Sequence, residues 1–128
     1  MKENKLVVRI NKPLSVVFQF CITPPNSTKW IPGVVKEETS SWSIKKGTIY
    51  FLTNEKSEIS KVIVVNIVEN KYIEWVTNSN YHCSYSLKTV NANTTELLYC
   101  EWVNKGEIDG PFTQEILDKL KEVIEKNL

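Results

Sequence analysis

The chain has 128 residues, a net charge of +1 and an ordinary globular composition, with 41% hydrophobic and 24% charged residues. These values predict one domain over residues 1–128, which is long enough to bury a core without disulfides. Because the 16 basic residues are scattered among 15 acidic ones, no basic face is predicted, which argues against nucleic-acid binding.

The sequence shows no sign of export, membrane insertion or metal binding. The N-terminal stretch has no apolar run of the kind found in signal peptides, and no segment approaches the roughly 18 apolar residues of a membrane span. Cys21, Cys83 and Cys100 have no CxxC spacing, which favours free thiols and a cytoplasmic location. A single histidine and three dispersed cysteines do not supply a zinc ligand cluster, so no cofactor is expected.

The first part of the chain predicts one strand and two short helical segments. Residues 5–10 (KLVVRI) are a β-branched run typical of a strand. Pro13 then suits the first position of a helix, where its missing N–H is not needed. This helix should end at Thr23, because a residue before proline is pushed out of the helical region. Residues 26–34 can hold one further turn, which carries Trp30.

Six strand-like runs follow, separated by short polar turns. They are residues 35–40, 48–53, 59–68, 72–77, 82–90 and 95–103. Turns as short as residues 69–71, 78–80 and 91–93 join antiparallel neighbours, whereas parallel strands need longer crossovers. The sequence therefore predicts an antiparallel meander.

Residues 112–128 predict the one long amphipathic helix of the chain, with Pro111 near its first position. Its apolar residues recur at helical spacing on one face, namely Phe112, Ile116, Leu117, Leu120, Val123 and Ile124. A single helix of this kind after a large sheet should cover that sheet. The predicted fold is therefore α+β of the helix-grip type. A seven-stranded, curved antiparallel sheet wraps around the C-terminal helix, a short helix pair lies between strands 1 and 2, and a cavity lies between helix and sheet.

At this level of detail the chain resembles the START-like, or SRPBCC, superfamily along essentially its whole length. The similar stretches are Ile10-x-x-Pro13-x-x-Val16-Val17-Phe18, Trp30-Ile31-Pro32-x-Val34-Val35, Lys46-Gly47-Thr48, Thr95-Glu96-Leu97 and residues 117–124. In chain order, they resemble the family's opening strand and helix, its tryptophan–proline turn, the starts of its third and last strands, and its closing helix. The resemblance implies a hydrophobic cavity. Members bind lipids, sterols or polyketides, catalyse cyclisation, or activate a chaperone ATPase, and no catalytic residue is transferred.

The predicted cavity wall combines aromatic rings with leucines of the last helix. Its residues are Phe18, Trp30, Tyr50, Trp75, Tyr85, Tyr99, Glu101, Leu117 and Leu120. Rings around a cavity bind apolar ligands, and a phenol hydroxyl can orient a polar end. For any single ring ordinary core packing is the favoured interpretation, whereas for the whole set a lined pocket is favoured. We expect a small hydrophobic or amphipathic ligand that is lipid-, polyketide- or aromatic-like.

The sharpest single hypothesis concerns Glu101, whose direction depends on the register of the last strand. Both faces of that strand are largely apolar, and a one-residue slip exchanges them. Matching Thr95 to the start of the family's last strand places Leu97, Tyr99 and Glu101 inward. An inward carboxylate could act as a general acid or base, or hold a polar ligand group. The alternative is an outward glutamate that pairs with a lysine on a neighbouring strand.

Two other functions remain open on the sequence alone. The first is a cyclase- or dehydrase-type enzyme that uses Glu101 and a tyrosine as an acid–base pair. The second is a protein-interaction module similar to a chaperone activator, since two apolar faces on the last strand suggest a partner. The chain could be a monomer or a homodimer. His82 and Cys83 are adjacent strand residues and point to opposite faces, so they do not form a nucleophile–base pair.

Overall fold

A curled antiparallel sheet forms the body of the protein in the computed structural model, which describes residues 2–77 and 80–127. Within these residues the strands are β1 Lys2–Ile10, β2 Val34–Thr39, β3 Ile49–Asn54, β4 Ile59–Val68, β5 Tyr72–Thr77, β6 Tyr81–Asn91 and β7 Thr94–Val103. Their spatial order is β1-β7-β6-β5-β4-β3-β2, and every neighbouring pair is antiparallel. The predicted helix-grip sheet is therefore confirmed as a seven-stranded half-barrel. The predicted turn at residues 78–80 lies largely outside the described residues.

Two α-helices and one 3₁₀ turn accompany the sheet in the described part of the chain. Helix α1 covers Leu14–Ile22, the 3₁₀ turn covers Asn26–Lys29, and helix α2 covers Gln114–Asn127. Pro13 caps α1, which ends at an extended Thr23 before the prolines, as the restriction on residues preceding proline requires. No helix among the described residues is long and apolar enough to cross a membrane.

Helix α2 begins two residues later than the sequence predicted. The Thr113 carbonyl and hydroxyl oxygens both accept a hydrogen bond from the Ile116 N–H, at 3.1 and 3.4 Å, so Thr113 caps the helix. Phe112 is held outside the helix because its N–H donates to the Glu101 carboxylate at 2.7 Å. Pro111 therefore lies in the preceding loop and not in the first turn.

Strand β7 shows the cleanest alternation of buried and half-buried residues in the sheet. Leu97, Tyr99 and Glu101 face inward and are each at most 1% exposed, so the register indicated by the family resemblance is correct. Helix α2 packs against β1 beside this strand and buries Leu117 and Leu120 completely. Burial of each leucine contributes roughly 1.5–3 kcal/mol to the packing of the helix against the sheet.

Candidate functional site

A cavity of about 180 Å³ lies inside the curled sheet, beside helix α2 and not beneath it. Its wall comes from strands β2 to β7, from the end of α1, from the 3₁₀ turn and the residues after it, and from the loop before α2. The described lining residues are Cys21, Ser27, Trp30, Ile31, Glu37, Tyr50, Leu52, Val62, Trp75, Val76, Thr77, Tyr81, Cys83, Tyr85, Tyr99 and Phe112. Most of this wall is aliphatic or aromatic, as expected for a site that binds apolar groups.

Aromatic rings in mutual contact form one side of the cavity. The Trp75 ring lies 5.1 Å from that of Tyr85 and 5.6 Å from that of Tyr50, in both cases edge to face. The Trp30 ring lies 6.3 Å from Tyr85. Edge-to-face pairs at these distances are favoured by the ring quadrupoles and stabilise one another beyond their burial.

The pairing of the strands explains why these rings converge. Tyr85 lies directly opposite Tyr99 in the β6–β7 pair, and residues opposite one another share a face of the sheet. Phe112 completes the chain of rings from outside the sheet, because it stacks on Tyr99 at 4.7 Å and meets Trp30 edge-on at 6.0 Å. The last segment before α2 therefore contributes a ring that the sequence analysis had assigned to the helix.

Five of the predicted site residues line this cavity. They are Trp30, Tyr50, Trp75, Tyr85 and Tyr99. All five are at most 7% exposed, so they belong to the core and the cavity wall at once. Whether a ligand occupies the space that they surround stays a prediction.

The other four predicted site residues lie outside the cavity. Phe18, Glu101, Leu117 and Leu120 are at most 1% exposed and are not among the residues of its wall. No described residue of α2 belongs to the wall of this cavity, which the prediction had placed between helix and sheet. Leu117 and Leu120 of the helix are instead fully buried in the core.

The Glu101 carboxylate is buried and bound on both oxygens by protein donors. Oε2 accepts hydrogen bonds from Asn4 Nδ2 at 2.8 Å and from the Phe112 N–H at 2.7 Å. Oε1 accepts from the Tyr81 hydroxyl at 2.6 Å. The outward, lysine-paired alternative is therefore excluded. Charge-assisted bonds of this kind are strong, and here they fasten the loop before α2 to β1 and β6.

A second buried carboxyl, Glu37, lines the cavity, and the sequence analysis did not single it out. Glu37 is 8% exposed, and its Oε1 accepts a hydrogen bond from the Ser27 N–H at 3.2 Å. Burial raises the pKa of Glu37, and the hydrogen bonds from Ser27 oppose this shift only in part. No lysine, arginine or histidine of the described residues forms an ion pair with it.

The inward direction of Glu37 follows from an irregularity in β2. The pairing of β2 with β3 shifts register between Val34 and Lys36, so Val35 turns outward and is 55% exposed. Beyond this bulge, Glu37 pairs with the inward-facing Leu52. A bulge re-aims side chains in this way. In the run Lys36-Glu37-Glu38, strand alternation is the only sequence signal for which side chain points inward. The bulge exchanges the inward and outward positions.

The remaining polar groups of the cavity are neutral near pH 7. Burial raises the pKa of the Cys21 and Cys83 thiols to about 12. Burial also raises the pKa of the Tyr85 and Tyr99 hydroxyls. The Tyr50 hydroxyl donates to the Ile22 carbonyl. Glu37 is thus the one carboxyl among the described residues of the cavity wall.

His82 lies on the outer face of the sheet, as its alternation with Cys83 predicted. Its ring stacks on Trp102 at 4.8 Å, and its Nδ1 lies 3.3 Å from Glu74 Oε2. Within residues 2–77 and 80–127, no three His, Cys, Asp or Glu side chains are grouped so that they could hold a metal ion.

We compared the chain with known protein families, sequences and structures. No protein-family model and no curated protein sequence matches the chain. Solved structures do match: a conserved protein of unknown function from Enterococcus faecalis (EF2215) superposes with a TM-score of 0.77 at 14% identity, over 98% of this chain and 72% of that one. The Aha1 dimer from Colwellia psychrerythraea gives 0.72 at 18% identity, over 98% of both chains. A START superfamily protein from Mycobacterium smegmatis gives 0.67 at 14% identity, over 98% and 95%.

The chain therefore has the START-like helix-grip fold. At these identities the likeness concerns the fold and not the activity, because this fold carries many functions.

Proposed function

We propose that this protein binds a small hydrophobic or amphipathic molecule in the cavity beside α2. The observation that carries the proposal is the composition of the wall, in which a continuous set of aromatic rings faces a single buried carboxyl, Glu37. Ligand sites combine an apolar wall with a few polar groups that fix orientation. Apolar burial would supply the affinity, and Glu37 would select the polar end.

The size of the cavity narrows the class of ligand. At about 180 Å³ it is smaller than the roughly 300–1,000 Å³ of drug-sized sites. It is slightly larger than an engineered apolar cavity of about 150 Å³ that binds benzene. A compound with one ring or a short chain fits this space, whereas a sterol or a whole lipid would require the half-barrel to open. The aromatic-like ligand is therefore favoured over the lipid- and polyketide-like ones.

Two observations favour binding over cyclase- or dehydrase-type catalysis. Both oxygens of Glu101 are engaged by structural donors, and the Tyr50 and Tyr81 hydroxyls each donate to a protein acceptor. An acid–base pair needs groups that can reach the substrate. We retain two further expectations, a monomer or homodimer and a cytoplasmic location, the latter because Cys21, Cys83 and Cys100 are free thiols.

A cavity-filling variant tests the proposal. Benzyl alcohol, a one-ring amphipathic probe, should raise the melting temperature with increasing concentration, because a ligand that binds the folded state stabilises it. Val62 lines the cavity, so Val62→Trp should abolish the rise. Ile63→Trp is the matched control, since Ile63 is the next residue of β4 and is 41% exposed. It should respond like the wild type.

Each variant is compared with its own ligand-free melting temperature, which removes the cost of overpacking from the comparison. A wild-type protein whose melting temperature rises neither with benzyl alcohol nor with a charged compound of the same size would refute the proposal. An unchanged response of Val62→Trp would show that the probe binds elsewhere.

A further inference from the structure

We propose that the cavity selects organic cations, namely small amines or quaternary ammonium compounds whose charge lies against Glu37 between the aromatic rings. This inference rests on the proposed function, and it names the chemical class of the ligand.

The charge balance of the cavity favours a cationic ligand. Glu37 is 8% exposed, and the hydrogen bond from the Ser27 N–H engages one of its oxygens. No described residue of the cavity wall is a lysine, arginine or histidine. Glu38, the residue after Glu37, is in contrast exposed and pairs with Lys36 at 3.4 Å. Buried charges in proteins are normally paired, and a cationic ligand would supply the charge that the wall lacks.

The aromatic surface that shares the cavity with Glu37 also favours a cation. Trp30, Tyr50, Trp75 and Tyr85 bring four electron-rich rings to the same small cavity. The faces of such rings attract ammonium and quaternary ammonium groups, most strongly where water is excluded. Burial is the main cause of the raised pKa of the Tyr50 and Tyr85 hydroxyls, and the negative charge of Glu37 raises the pKa of both further. The carboxyl and the rings therefore line the same cavity.

The same arrangement disfavours anions and neutral molecules. An anion in the cavity would meet the Glu37 carboxylate without any basic side chain to offset the repulsion. A neutral molecule would leave the buried carboxylate without a counterion. A one-ring or short-chain cation would avoid the repulsion and supply the counterion, and it fits the volume of about 180 Å³.

Three probes of nearly equal size and different charge test the inference: benzylamine as the cation, benzyl alcohol as the neutral compound and benzoate as the anion. In calorimetric titrations at neutral pH, the wild type should bind benzylamine about tenfold more tightly than benzyl alcohol, and benzoate most weakly. Glu37→Gln should abolish this preference, so that benzylamine binds no more tightly than benzyl alcohol. Glu38→Gln, the adjacent exposed carboxyl of the same strand, should keep the wild-type preference.

The possible results separate this inference from the proposed function. Binding of benzyl alcohol with equal or weaker binding of benzylamine would overturn the inference and leave the proposed function standing. Failure of all three probes to bind would overturn both. A Glu37→Gln variant that keeps the preference for the amine would refute the role of Glu37. The comparison of the three probes on the wild type is decisive even if a variant folds poorly.

Discussion

Two buried carboxyls in this protein have different surroundings and therefore different expected roles. Glu101 accepts three hydrogen bonds, from Asn4, Phe112 and Tyr81. Such bonds stabilise a buried charge and make it part of the architecture. Glu37 accepts a hydrogen bond from Ser27 beside an otherwise apolar cavity. The free energy that burial of its charge costs is therefore less completely recovered within the protein.

The pH dependence of the free energy of unfolding should reveal the raised pKa of Glu37. Its pKa in the folded state is raised above the ordinary value of 4.5, so the folded state binds this proton more tightly than the unfolded state. Stability therefore falls as the pH rises from about 4.5 through the folded-state pKa, and the effect is constant above it. Glu37→Gln removes this pH-dependent contribution. The free energy of unfolding of the variant, relative to that of the wild type, should therefore increase as the pH rises through the same range.

Urea denaturation at a series of pH values measures this difference. Glu38→Gln serves as the control, because the exposed Glu38 side chain lies on the other face of β2, and it should follow the wild-type pH profile. A difference between Glu37→Gln and wild type that does not change with pH would contradict the account.

At the scale of elements, the Glu101 carboxylate joins three segments that are distant in sequence. Asn4 belongs to β1, Tyr81 to β6 and Phe112 to the loop before α2. The amide of Asn4 also donates to the Phe112 carbonyl at 2.9 Å. The same contacts hold the Phe112 ring against Tyr99 and Trp30 in the cavity wall. Glu101 therefore positions part of the site without lining it.

Replacement of Glu101 by glutamine should destabilise the protein. The amide keeps one acceptor oxygen and places an NH₂ group against donors, so at least one charge-assisted bond is lost. We expect the free energy of unfolding to fall by about 2–4 kcal/mol, measured by urea denaturation. The matched change is Glu96→Gln on the outward face of the same strand, where Glu96 pairs with Arg9 and Lys88 at the surface, and its effect should be much smaller. Equal effects would show that the Glu101 contacts contribute little.

At the scale of the whole molecule, the sequence was most informative where local signals determine the structure. The bounds of β4 and β5 agree with the predicted runs 59–68 and 72–77, because apolar runs and polar turns mark both ends of each strand. Alternation alone could not predict the direction of the Glu101 side chain, because both faces of β7 are largely apolar. The family resemblance supplied the register of this strand.

The position of the cavity could not be predicted from local signals. It depends on how closely α2 packs onto β1, where Leu117 and Leu120 become fully buried. Glu37 was missed because the bulge in β2 reversed the alternation. Five of the predicted rings line the cavity, as expected for a hollow half-barrel with so many aromatic residues.

The most direct test of the account is to locate a bound probe by NMR. Intermolecular NOEs between the ring protons of benzyl alcohol and the protein report which side chains touch it. We predict contacts to Trp75, Tyr85 and Val62, which line the cavity. No contact is expected to Leu117 or Leu120, which lie on the buried face of α2. Contacts confined to α2 or to the outer face of the sheet, for example at Ile63, would contradict the proposal that this cavity is the ligand site.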